Sequence, residues 1–101
     1  MLTSMLLEQL LTEKREAILS IAAKHGAFNV KIFGSVARGE ETENSDIDFL
    51  VDYDLSEISP WFPVRLIRDL EAILGRKVAV VTQNGLQERI KEKVLKDCVK
   101  L

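Results

Sequence analysis

The chain has 101 residues, 47% of them hydrophobic and 30% charged, enough for one globular core and too few for a comfortable second domain, so residues 1–101 read as a single domain. A formal net charge of -2 with basic residues scattered along the chain excludes a protein held on nucleic acid by a clustered basic surface, and no direct nucleic-acid partner is expected. The single cysteine, Cys98, cannot close an intramolecular disulfide, and the leucine-rich start meets Glu8, Glu13 and Lys14 before a span is complete; the expectation is a cytoplasmic chain with no signal peptide and no membrane anchor.

Leu6, Leu7, Leu10 and Leu11 suggest an opening helical turn. Thr12 is placed to cap a helix in which Ala17, Ile18, Ile21 and Ala22 recur at helical spacing, stopped by Gly26. His25, just before that glycine, is where an imidazolium would complement a helix end. "FNVKIFG" alternates Phe28, Val30 and Ile32 against Asn29 and Lys31, a half-buried strand ended by Gly34. After Ser35 comes a polar stretch with Glu40, Glu41 and Glu43, read as a solvated loop, and then "DIDFLVDY", a second strand over 46–53. "SPWFPVRLIRDLEAILGRK" starts with prolines that suit a loop and helix start, carries Leu66, Ile67, Leu70, Ile73 and Leu74 on one stripe, and ends at Gly75. Its Trp61 and Phe62 are read first as closing the core above the helix and second as an anchor for a partner. "KVAVVT" is a third strand, and "NGLQERIKEKVLKDCVKL" a last helix with Leu86, Ile90, Val94 and Leu95 as its apolar face and Cys98 as a small packing residue. The order helix, strand, strand, helix, strand, helix implies an α+β sandwich, a small sheet flanked by helices.

Side chains two apart on a strand share a face, so Asp46 and Asp48 sit roughly 6.6 Å apart at their Cα atoms and can converge on one point. Two like charges so placed repel unless a cation neutralises them. A hard divalent ion such as Mg²⁺, which takes one or two carboxylates together with substrate phosphates, suits the pair. Gly34 lets the backbone approach a ligand, Ser35 offers a hydroxyl, residues 35–38 suit a short helical turn with outward N–H groups, and Arg38 adds charge to that wall.

Gly34-Ser35, ten residues, then Asp46-Ile47-Asp48 at the head of an apolar strand resembles the signature of the DNA polymerase β-like nucleotidyltransferases. The longer string "VKIFGSVARGEETENSDIDFLVDYD", with "LGRKVAVVT" after the next helix, is similar to the small MNT-type branch, the minimal nucleotidyltransferases, from Thr12 nearly to the C-terminus. The resemblance implies a polymerase β palm-like fold, Asp46 and Asp48 as catalytic metal ligands for Mg²⁺, and Gly34, Ser35 and Arg38 as binders of the ATP phosphates. It also implies an antitoxin that transfers AMP from ATP to a tyrosine of a HEPN-domain RNase toxin and forms a hetero-oligomer with it. Family chemistry would use two ions about 3.5–4 Å apart.

One position departs from the family pattern. A third carboxylate is expected on the neighbouring strand, facing the first two, and Ala79 occupies its place. Val78 and Val80 face the other way, and Asp52, though on the right face, is about 13 Å along the strand from Asp48. Loss of a general base alone costs about 10²–10⁴-fold in rate. Ala79 therefore reads either as a natural loss in a member that only binds its toxin or as a substitution that disables an otherwise intact site. Transfer to a small molecule fits less well, since little chain is left for an acceptor domain.

Overall fold

The computed structural model describes residues 9–37, 46–82 and 88–101. In chain order the elements are α1 (Arg15–Lys24), β1 (Ala27–Phe33), the single turn α2 (Gly34–Ala37), β2 (Ile47–Tyr53), α3 (Val64–Leu74), β3 (Val78–Thr82), α4 (Glu88–Asp97) and β4 (Val99–Lys100). The sheet runs β3-β2-β1-β4, with β1 antiparallel to both β2 and β4 and β2 parallel to β3. This is the expected α+β sandwich, a small mixed sheet with helices. Among the described residues no helix is long and apolar enough to cross a membrane.

One face of the sheet makes the core. Val30 and Ile32 of β1 and Ile47, Phe49 and Val51 of β2 pack with Ile18 and Ala22 of α1 and Leu66, Leu70 and Leu74 of α3. Helix α3 forms because those leucines recur every four residues, and it stops at Gly75, which takes the left-handed conformation (φ +66°) that glycine adopts without penalty. Pro63 stands at its N-cap, as the prolines suggest. The aromatic pair divides: Phe62 is half-buried and packs a tilted ring on Tyr53 at 5.5 Å, whereas Trp61 is 61% exposed and does not close the core.

Four expectations are corrected. Thr12 does not cap α1: residues 9–13 are already helical, the helix is interrupted by a turn at Lys14, and Lys14 is the N-cap without a side-chain bond. Phe28 does not share a face with Val30 and Ile32. Asn29 adopts φ +51° and the β1–β2 register slips by one residue between Phe28 and Lys31, a bulge that turns Phe28 away from the core and leaves it 49% exposed. The last helix ends at Asp97, and Val99–Lys100 cross to pair with β1 as a fourth strand, with the Leu101 N–H donating to the Val30 carbonyl at 3.0 Å. Cys98 thus lies past the helix end, partly buried, its thiol 3.2 Å from the Leu95 carbonyl oxygen. Leu6, Leu7, Arg38, Glu40, Glu41, Glu43 and Leu86 lie outside the described residues.

Candidate active site

The opposite face of the sheet is organised around Asp48. In register across three strands stand Phe33 of β1, Asp48 of β2 and Ala79 of β3. Asp48 is half-buried, whereas Asp46, just ahead of β2, is exposed. Burial of Ile47, Phe49 and Val51 on the far side fixes this alternation, because a one-residue slip would drive the carboxylates into the core.

Gly34 brings the backbone onto that carboxylate. Strand β1 ends at Phe33, and Gly34 turns into α2 at φ +78°, with its hydrogen side pressed against Asp48. A Cβ built there would land on Asp48 Oδ2 and lie 3.3 Å from its Cγ. Only glycine combines this dihedral with this approach. Ser35 follows as the second residue of α2. The structure therefore brings together Gly34, Ser35, Asp48, Asp46 and the Ala79 position; Arg38 is outside the described residues.

Strand β3 is held in place by contacts that the sequence pattern does not reveal. The Ile47 N–H donates to the Lys77 carbonyl at 3.0 Å, and the Val78 N–H donates to Glu71 Oε2 at 3.0 Å. Glu71, on α3, thus anchors the first residue of β3 and with it the register that sets Ala79 beside Asp48. The face continues away from Asp48 with Leu50, flanked by Lys31 of β1 and Val81 of β3, and then with Asp52, whose carboxylate accepts from Asn29 Nδ2 at 3.0 Å. That bond occupies Asp52 at the bulge, well away from the Asp46–Asp48 pair.

Among the described residues no three His, Cys, Asp or Glu side chains gather as a metal centre. The donor set is two carboxylates, Asp48 on β2 and Asp46 just ahead of it, which fits a hard ion completed by phosphate oxygens better than an all-protein cage. Elsewhere, His25 at the end of α1 meets Asp69 of α3, with Nε2 2.7 Å from Oδ2. That contact holds the Asp69 carboxyl below the usual carboxylate range through the hydrogen bond. Asp54 is lowered likewise by the hydroxyl and backbone N–H of Ser56.

The family model described as a nucleotidyltransferase domain matches residues 14–101. The chain is 35% identical over 100 residues to the protein adenylyltransferase MntA of Thermococcus cleftensis, spanning 98% of this chain and 96% of that one. It is 39% identical over 89 residues to a Methanocaldococcus jannaschii chain named as a candidate protein adenylyltransferase, spanning 88% and 95%. A solved structure of a candidate minimal nucleotidyltransferase superposes with a TM-score of 0.82 at 44% identity, covering 94% of this chain and 95% of that one. A crystal structure of a toxin–antitoxin with AMP-PNP superposes at 0.70 over 84% of this chain and 69% of that one; at 20% identity this is a likeness of fold.

Proposed function

This chain belongs to the nucleotidyltransferase domain family, and from that premise we propose that it is the antitoxin of a toxin–antitoxin pair, built to transfer AMP from ATP to a tyrosine hydroxyl of a HEPN-domain RNase toxin, with the transfer impaired by Ala79. The observation that carries the reading is the seating of the Gly34 backbone against the Asp48 carboxylate, with Asp46 two residues earlier, just ahead of β2. The full-length likeness to chains named as protein adenylyltransferases supports a protein as acceptor.

In this reading Asp46 and Asp48 would hold Mg²⁺, which would supply charge neutralisation at the triphosphate. Gly34 and Ser35 bind the β- and γ-phosphates, and Arg38 adds a positive wall. The acceptor oxygen bonds to the α-phosphorus, the α–β phosphoanhydride bond breaks, pyrophosphate departs, and the phenol proton is left to solvent. Positioning and charge neutralisation supply most of such catalysis, so the pair retains nucleotide binding while losing rate. With Ala79 beside Asp48, the strand offers no carboxylate to receive that proton or to hold a second ion.

A second reading rests on the same residue: a non-catalytic antitoxin that neutralises its toxin by binding, with the pocket vestigial. The two separate when the chain and its Ala79→Asp variant are incubated with labelled ATP, Mg²⁺ and the protein encoded beside it. Label on that protein with the variant, at a rate about 10²–10⁴-fold above the parent chain, supports the impaired enzyme. Absence of label with both sinks the enzymatic reading and leaves binding.

A further inference from the structure

The face that carries Asp48 also carries two lysines that the chemistry above does not use. Lys31 of β1 pairs with Leu50 on one side and with Lys100 of β4 on the other. Because Phe33 pairs with Asp48, Lys31, two residues earlier, projects from the same face of the sheet. With strands about 4.8 Å apart and a rise of about 3.3 Å per residue, the Lys31 and Asp48 Cα atoms lie roughly 8 Å apart. An extended lysine stem is long enough to span most of that distance.

Strand β1 is interior to the sheet, and Lys31 is half-buried in it. Lys100 stands directly opposite Lys31, and like charges so paired destabilise a sheet unless an anion lies between them. The segment is biased the same way: residues 88–101 hold five basic and three acidic residues, in a chain whose net charge is -2. Helix α4 of that segment packs against both β1 and α2.

We infer that Lys31 and Lys100 form an anion site for the phosphate chain of a nucleotide, extending the site at Gly34 and Asp48 across β1 to β4. The site rests on the nucleotide-binding part of the proposed function. It assigns the pair to a polyphosphate, whose charge spreads over several oxygens and so can meet Asp-held cation and lysines together. Two sources share that chemistry, the triphosphate of ATP and free pyrophosphate, and a nucleoside monophosphate is too short to reach both ends.

Calorimetric titration of the full chain with ATP, AMP and pyrophosphate in Mg²⁺, alongside Lys31→Gln, Lys100→Gln and the double variant, tests it. The expected result is that Lys31→Gln weakens ATP and pyrophosphate binding by roughly tenfold, changes AMP binding less than about twofold, and flattens the salt dependence for ATP. Without ligand the double variant melts no lower than the parent, because a repulsive pair is gone. Equal ATP affinity in parent and variant overturns the inference alone, while a parent that binds neither ATP nor pyrophosphate overturns it together with the nucleotide reading. A loss for pyrophosphate only, or an equal loss for AMP, removes the triphosphate from the site. A lower melting temperature of the ligand-free double variant makes the pair structural.

Discussion

The two faces of one sheet are built from alternate residues of the same strands, yet they solve opposite problems. On one face Ile47 and Phe49 are fully buried between α1 and α3, with Val30, Ile32 and Val51 around them. On the other, Asp48, Lys31, Ala79 and Asp52 remain half-exposed and polar or small, and only Leu50 is sealed. Folding free energy comes mainly from the first face, since apolar burial scales with area removed from water. The second face is free to carry charge because the first face fixes its register. A sheet so divided tolerates a change of side chain on the second face, at a position such as Ala79, without losing its fold.

Breaking the first face should have the largest effect. Phe49→Ala removes a fully buried ring at a cost of about 3–5 kcal/mol, a large part of the stability of a domain this size. Thermal or urea melts read it directly, and nucleotide binding per folded molecule stays unchanged. Gly34→Ala comes next and acts on the second face. A left-handed dihedral costs an L-residue about 1–2 kcal/mol, and the added methyl must displace the Asp48 carboxylate. Melting should fall by less than for Phe49→Ala, while ATP affinity falls by more than about tenfold, the reverse ranking of the two measurements. If Gly34→Ala destabilises as much as Phe49→Ala and spares ATP binding, the division between the faces is wrong.

The parts of this architecture legible in the sequence are those set by local periodicity. The stripe Leu66, Leu70 and Leu74 and the stop at Gly75 define α3 without reference to anything else, and period two along β2 predicts that Asp46 and Asp48 share a face against Phe49 and Val51. The short turn after Gly34 follows from the glycine and the end of the apolar alternation. The parts that escaped depend on distant backbone. The bulge at Asn29 had one local signal, an asparagine inside a strand pattern, a residue tolerant of positive φ. Strand β4 is two residues long and exists only because β1 offers its edge, so the sequence reads there as a helix tail. Glu71 lies seven residues from the Val78 N–H it accepts from, across a turn that pattern reasoning cannot close. Lys31 was visible as the polar half of an alternation, but its meaning came from Lys100 opposite.

The smallest expected effect isolates the helical layer over the core face from the charged face. His25 at the end of α1 and Asp69 on α3 are joined by a 2.7 Å contact, and the hydrogen bond holds the Asp69 carboxyl below its ordinary value near 3.8. A carboxyl depressed on folding binds its proton more readily when unfolded, so its contribution is complete above the unfolded value and is lost as pH falls through the lower folded value. Asp69 is partly open to solvent, which keeps the contribution small. Asp69→Asn should therefore lower the melting temperature slightly at neutral pH, and the difference should shrink as the pH falls from the unfolded value through the lower folded one, vanishing where the parent carboxyl is protonated in the folded state as well. ATP affinity at neutral pH should not change, because the pair bridges α1 and α3 and stands on neither β1 nor β2. A melting difference that persists undiminished in acid would show that the asparagine perturbs packing rather than titration, and a loss of ATP affinity would show that the two faces are coupled through the sheet after all.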